Sequence, residues 1–167
     1  MPKIIVLGTS HAIPDEDHEN SYLALIGEHR QVLIDCAGNP VVRLKQAGID
    51  LNNLTDLVLT HFHPDHVSGV PSLLMSMWLL GRSDPLDIYG LTHTLDRLES
   101  MMSLYEWEQW PDFFPVTFSR LPATSMALAL QCFLVFRSTN RLAWSDSRIN
   151  RQTASENAHL RWALPIF

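Results

Sequence analysis

The feature that most constrains the fold is a segment predicted to form a strand, residues 50–60, that runs directly into the polar cluster HFHPDH. The end of the segment, LTDLVLT, carries the aliphatic and β-branched side chains of a buried strand. Three histidines and one aspartate lie within the next six positions. Because they follow the strand directly, we expect them to lie together on a tight loop at its carboxyl end.

Apolar runs on both sides of this segment continue a regular alternation of strands and helices. The predicted order is β-β-β-α-β-α-β-α-β, which indicates an α/β fold whose helices cover the faces of a sheet. The predicted strands are residues 3–8, 21–27, 31–38, 50–60, 85–90 and 115–121, and the predicted helices are residues 39–49, 68–82 and 94–107.

The charge balance limits the choice of partners. The chain has 12 lysines and arginines against 18 acids, so its formal net charge is -6. A chain of this charge has no basic field that could hold a polyanion through many phosphate contacts, which argues against a nucleic-acid partner. Its apolar stretches fall short of the roughly 20 residues that a membrane span needs, so we expect no membrane partner.

The cysteines and the N-terminus bear on the compartment. Cys36 and Cys132 are too few for a disulfide framework and do not have the C-x-x-C spacing. The N-terminal residues lack the basic segment and long apolar run of a secretory signal. We therefore expect a reducing, cytoplasmic location.

The residue types in the cluster are those of a metal site. His61 and His63 are two residues apart, so on an extended chain their side chains face the same side and can bind one ion. Asp65 and His66 follow Pro64, and from the next turn their side chains can face a second metal position beside the first. Imidazole and carboxylate groups suit zinc, and also manganese or iron. We expect one or two ions here, whereas the other five histidines are each expected to be ordinary surface or core residues.

At this point the sequence resembles a known family. THFHPDHVSG is similar to the His-x-His-x-Asp-His signature of the metallo-β-lactamase superfamily, and VLGTSHAIP and VLIDCAG resemble its branch that contains ribonuclease Z and related phosphodiesterases. The resemblance, which covers about residues 3–120, implies an αβ/βα sandwich and a metal-dependent hydrolase of phosphodiester or related ester bonds. It further implies that His61 and His63 bind a first metal ion and that Asp65 and His66 bind a second, with Asp65 also orienting or deprotonating the attacking water.

Asp35 would, by the same resemblance, support the histidine loop through hydrogen bonds rather than bind metal. A simple turn residue is an equally good interpretation of Asp35. Gly8 and Gly38 would serve the backbone rather than the chemistry.

The chain departs from the family pattern after residue 120. Besides the cluster, the family's full site needs three further ligands: one more histidine, an aspartate that bridges the two ions, and a last histidine near the C-terminus. The only histidine after His93 is His159. Asp146 is the one candidate for the bridging aspartate, and a chance match is at least as good an explanation. With two protein ligands for each ion instead of the usual three, we expect weak zinc binding.

We treat residues 1–167 as a single domain in which residues 1–120 follow the family and residues 121–167 do not. Residues 121–167 contain no lysine or glycine and only two acids. Natural loss of the metal site, or a shifted reading frame or truncation, would each leave the ligand set incomplete, and this composition favours the second explanation. Three functions therefore stay open: a hydrolase acting on a small-molecule or nucleotide-type ester, a non-catalytic protein of the same fold, and a tRNA 3′-processing endonuclease. An exposed sheet edge would also permit a homo-oligomer.

Overall fold

The computed structural model describes residues 2–122. Predictions for Cys132, Asp146 and His159 concern positions outside the described residues. No helix in the described range is long and apolar enough to cross a lipid bilayer.

Six strands form one mixed sheet, in which the order of the strands in space is their order along the chain. The strands are β1 (Lys3–Gly8), β2 (Tyr22–Ile26), β3 (Gln31–Ile34), β4 (Asp56–Leu59), β5 (Leu86–Leu91) and β6 (Val116–Leu121). Strands β1, β2 and β3 are antiparallel neighbours, whereas β3, β4, β5 and β6 run parallel. The three parallel pairs need crossover connections, and helices occur in each of them.

The helices are α1 (Pro40–Gln46), α2 (Pro64–Val67), α3 (Val70–Leu79) and α4 (Thr92–Ser103), with short 3₁₀ turns at Leu51–Asn53 and Trp107–Gln109. The predicted α/β class and the order of the main elements are confirmed. Residues 2–122 supply one sheet of the expected αβ/βα sandwich, and a second sheet is not among them.

The larger core lies between the helices and one face of the sheet. The register places Ala24, Leu33, Leu57 and Ile88 in one row across four strands, and all four side chains are buried. They pack with apolar residues of the helices, including Leu44, Leu73, Leu74, Leu95 and Leu98. The burial of this row aligns the carboxyl ends of β3, β4 and β5 at one edge of the sheet.

The other face carries a smaller apolar cluster of Leu25, Val32 and Val58. The side chains of Ile4 and Val6, on edge strand β1, are 48% and 58% exposed. An exposed apolar edge strand is a feature that a second copy could cover, so the homo-oligomer stays a prediction.

Gly8 and Gly38 have the backbone roles expected of them. A Cβ atom at Gly8 would overlap the backbone carbonyl of Asn20, where the loop after β1 folds back beside the strand. Gly38 has a φ of 56°, in the left-handed region, and a Cβ atom there would overlap the carboxylate of Glu19.

Arg82 ties the connection between α3 and β5 to the rest of the fold. Its side chain is 4% exposed, and its guanidinium lies 5.1 Å from the ring centroid of Phe114. The guanidinium donates hydrogen bonds to backbone carbonyls of Leu51, Asn52, Leu54, Asp84 and Pro85. A charged group that satisfies several buried carbonyls should be difficult to replace.

We predict that Arg82→Met lowers the free energy of unfolding by about 3 kcal/mol, because several carbonyls would lose their hydrogen bonds in the interior. Urea unfolding followed by circular dichroism measures the loss. Arg97→Met is the matched control, since Arg97 is exposed and makes one bond, to the His93 carbonyl. Equal stability of the two variants would contradict the role given to Arg82.

Candidate metal centre

The histidine cluster lies at the edge of the sheet where β3 and β4 end. Strand β4 ends at Leu59, the chain bends at Thr60, and His63 is extended just before α2. Phe62 packs against the larger core, whereas the rings of His61 and His63 on either side of it contact each other. The side-by-side placement expected from their spacing is therefore present, although the strand itself is shorter than predicted.

Asp65 and His66 lie on helix α2 and not on the simple loop that we expected, so that detail of the prediction was wrong. Pro64 occupies the first helical position, where its fixed φ and missing N–H are tolerated. His63 precedes it in an extended conformation, with φ of -110° and ψ of 154°. One helical turn thus brings Asp65 and His66 beside the His61–His63 pair.

The four predicted ligands form two pairs of donor atoms. His61 Nε2 lies 3.1 Å from His63 Nδ1, and Asp65 Oδ2 lies 3.4 Å from His66 Nε2. The rings of His61 and His66 have centroids 4.0 Å apart, so the two pairs are adjacent. His61, Asp65 and His66 are half-buried, and His63 is exposed, so solvent reaches the cluster.

Each pair has the spacing that a divalent ion requires. Two ligand atoms on a tetrahedral zinc ion with bonds of 2.0–2.1 Å lie about 3.3 Å apart. Both observed separations are close to this value. Within residues 2–122, however, no group of three or more histidine, cysteine, aspartate or glutamate side chains is arranged to hold one ion. The donor atoms therefore fit metal ions pairwise, and their roles as ligands stay predictions.

Asp35 is a buried residue whose carboxylate lies within hydrogen-bond distance of Thr60 and His66. Its side chain is about 5% exposed. Its Oδ2 atom lies 2.8 Å from His66 Nδ1, and its Oδ1 atom accepts a hydrogen bond of 2.9 Å from the backbone N–H of Thr60. The Thr60 hydroxyl lies 2.9 Å from both carboxylate oxygens and 3.0 Å from His61 Nδ1.

The backbone around Asp35 is held in an uncommon conformation. Asp35 has a φ of 59°, which is costly for most residues other than glycine but tolerated by aspartate and asparagine. Its N–H donates to the carbonyl of Val58, and the N–H of Cys36 donates to the carbonyl of His66, both at 2.8 Å. The turn after β3 is thereby attached to both the end of β4 and helix α2. These are the contacts that a supporting role for Asp35 requires, and the role towards a metal stays a prediction.

Sequence reasoning gave no role to Thr60. The position of Thr60, directly between the strand and the first histidine, could have indicated a role, but a hydroxyl residue at the end of a strand is common. Cys36 follows Asp35 directly in the chain. It is fully buried, and burial, with the adjacent charge of Asp35, raises the pKa of its thiol far above the ordinary value.

The environment separates the pKa values of two of the histidines. Burial, with the neighbouring His66 and His63, lowers the pKa of His61, which keeps its imidazole neutral at neutral pH. The hydrogen bond to Asp35 raises the pKa of His66, against the opposing effect of burial. A raised folded-state pKa means that protonated His66 stabilises the fold below its unfolded pKa, and that this contribution is lost as pH rises through the folded pKa.

We predict that Asp35→Asn destabilises the metal-free protein more at about pH 5.5 than at about pH 8, because protonated His66, which pairs with the Asp35 carboxylate, is more populated at the lower pH. Asparagine tolerates the left-handed backbone, so the change removes the charge and one acceptor oxygen without straining the chain. Urea unfolding at the two pH values, with a chelator present, gives the difference. A loss of stability that does not depend on pH would contradict the pairing of Asp35 with His66.

Comparisons with known proteins find relatives of the N-terminal part of the chain. A family model described as "Anti-Pycsar protein Apyc1" matches residues 2–106, which is more than half of the chain. A ribonuclease Z from Methanothermobacter thermautotrophicus is 37% identical over 90 residues, which are 54% of this chain and 29% of that protein. A ribonuclease Z from Agathobacter rectalis is 29% identical over 143 residues, 80% of this chain and 47% of that protein.

Solved structures show the same fold. The short form of human tRNase Z superposes with a TM-score of 0.62 at 27% identity, covering 74% of this chain and 46% of that one. A diphosphatase of the PhnP family gives a TM-score of 0.55 at 16% identity, covering 73% of this chain and 51% of that one, which is evidence for the fold alone. The chain spans about half the length of these proteins or less. Over roughly its first 120 residues it is a ribonuclease Z-like member of the metallo-β-lactamase superfamily, and it belongs to the family described as anti-Pycsar protein Apyc1.

Proposed function

We propose that the chain carries the metal-binding part of a hydrolase that uses one or two divalent ions, most simply zinc, to cleave phosphodiester or related ester bonds. The observation that carries the proposal is the two adjacent donor pairs held against one buried carboxylate, Asp35. Family membership supports a hydrolase in general terms. Manganese or iron are alternatives to zinc, because nitrogen and oxygen donors suit all three metals.

Each residue of the cluster would have its own role. His61 and His63 would hold one ion, and Asp65 and His66 the other. A divalent ion at such a site lowers the pKa of water towards neutrality and polarises the ester. The half-buried carboxylate of Asp65 would accept a proton from that water. His61, whose pKa is lowered, would stay neutral and keep its lone pair available.

The number of ligands limits the expected activity. Catalytic zinc sites normally have three protein ligands and one water, whereas each pair here supplies two. Other donors would have to complete the coordination, and Asp146, the proposed bridging aspartate, lies outside the described residues. We therefore propose a site that binds zinc weakly and turns over slowly.

The arginines favour a small substrate over RNA. Three of those in residues 2–122 lie against acids: Arg30 against Asp56, Arg43 against Glu19, and Arg120 against Asp96 and Glu99. Arg82 and Arg97 donate to backbone carbonyls. The arginines of residues 2–122 therefore offer little unpaired charge to a phosphate backbone. A small-molecule or nucleotide-type ester is therefore the proposed substrate, and a cytoplasmic location stays part of the proposal.

Two other functions have specific support. Similarity to proteins named ribonuclease Z and tRNase Z favours a tRNA 3′-processing endonuclease, against which the negative charge and the engaged arginines weigh. The two-ligand pairs favour a non-catalytic protein of the same fold. Cleavage of a precursor tRNA would support the first alternative. Purified protein that takes up no zinc, manganese or iron would support the second.

We predict zinc-dependent hydrolysis of bis(p-nitrophenyl) phosphate that is slower than about 1 s⁻¹, the low end for ordinary enzymes. His63→Ala should reduce both zinc affinity and rate by about tenfold or more, because it removes one donor from a two-donor pair. The rate is measured by absorbance of the released nitrophenolate, and zinc affinity by competition with a chromogenic chelator.

His29→Ala is the matched control. His29 is exposed in the turn between β2 and β3, at the opposite end of the strands from the cluster. It should behave as the wild type in both assays. A hydrolytic rate that His63→Ala leaves unchanged would contradict the proposed function, and a rate ordinary for enzymes that depends on His63 would contradict the incomplete site.

A further inference from the structure

Thr60 occupies a position between the buried carboxylate and the first histidine of the cluster. Its hydroxyl oxygen lies 2.9 Å from Asp35 Oδ1, 2.9 Å from Asp35 Oδ2 and 3.0 Å from His61 Nδ1. Its own N–H donates to Asp35 Oδ1 at 2.9 Å. Backbone and side chain of Thr60 thus both bind the same carboxylate, which fixes where the hydroxyl points.

The number of protons available decides the direction of these hydrogen bonds. A threonine hydroxyl has one proton to donate and two lone pairs, and an ionised carboxylate can only accept. If the hydroxyl donated to His61, its lone pairs would face the carboxylate of Asp35 at hydrogen-bond distance with no proton between them. The hydroxyl must therefore donate to Asp35 and accept from His61 Nδ1, which then carries the proton.

This direction determines which nitrogen of His61 is free. With the proton on Nδ1, the lone pair lies on Nε2, the atom that faces His63 Nδ1 at 3.1 Å. His66 is oriented in the same sense without an intermediary, because its Nδ1 lies directly on Asp35. One buried carboxylate thus orients two imidazoles, His66 directly and His61 through Thr60.

We propose that Thr60 is a positioning residue that holds His61 in the Nδ1–H tautomer and so presents its Nε2 lone pair at the edge of the sheet. The consequence for metal binding rests on the proposed function, whereas the tautomer itself is a property of the metal-free chain. Without this contact, the neutral imidazole of histidine in water favours the proton on Nε2, which is the nitrogen that must be free. Hydrogen-bond partners of this kind fix the tautomer of metal-binding histidines in general.

The test uses long-range proton–nitrogen NMR spectra of isotopically labelled histidine in the metal-free full chain, at about pH 8, where an imidazole is neutral. Wild-type His61, assigned by the signals that disappear in His61→Gln, should show a protonated Nδ1 and an unprotonated Nε2. Thr60→Val has the same shape without the hydroxyl, and should move His61 towards the Nε2–H form. Thr60→Ser keeps the hydroxyl and should restore the wild-type pattern.

Thr117→Val is the control for the loss of a threonine hydroxyl, because Thr117 is exposed on β6. It should leave the signals of His61 unchanged, and an unchanged backbone spectrum of each variant shows that the fold is retained. An Nε2–H tautomer of His61 in the wild type would overturn the proposal. So would an Nδ1–H tautomer that persists in folded Thr60→Val.

A zinc titration of the same proteins separates this proposal from the proposed function. Thr60→Val should weaken zinc binding by about 10- to 100-fold, the effect of removing such a partner, and Thr60→Ser should stay near the wild type. If no variant and no wild-type protein binds zinc while the tautomers follow the pattern above, the proposed function fails and the role of Thr60 stands. If Thr60→Val changes the tautomer but not the zinc affinity of a wild type that binds, the role towards the metal is overturned.

Discussion

The carboxylate of Asp35 is the interaction on which the rest of the site depends. It lies buried at the end of β3 and contacts Thr60 at the end of β4 and His66 on α2, so one side chain joins three elements. A buried charge is tolerated only where it is well hydrogen-bonded, and Asp35 has partners on both oxygens. Its left-handed backbone is part of the same arrangement, since it turns the chain after β3 towards α2.

The sheet supplies the geometry in which this carboxylate can act. Parallel pairing of β3 with β4 brings Ile34 beside Val58, so the residues that follow each strand lie at the same edge. The row of buried residues through Leu33 and Leu57 holds the register, because a slip by one residue would turn these side chains to the other face. The core therefore positions the cluster.

Much of the fold follows from the sequence because its signals are local. The apolar runs of β3 and β4 act through backbone preferences that a short window reveals. The pairing of His61 with His63 follows from spacing alone. The role of Thr60 and the one-turn helix at Asp65 do not, because they depend on Asp35, which is 25 residues before Thr60 in the chain. A contact between residues so far apart in the sequence cannot be predicted from a short segment.

The central claim is that the two donor pairs bind metal ions at this edge of the sheet. Anomalous X-ray scattering at the zinc absorption edge, from crystals grown with zinc, tests it most directly. We predict a peak within bonding distance of both His61 Nε2 and His63 Nδ1, with a second peak, where present, between Asp65 and His66. Zinc bound only elsewhere, for example at the exposed pair Asp15 and His18, would contradict it.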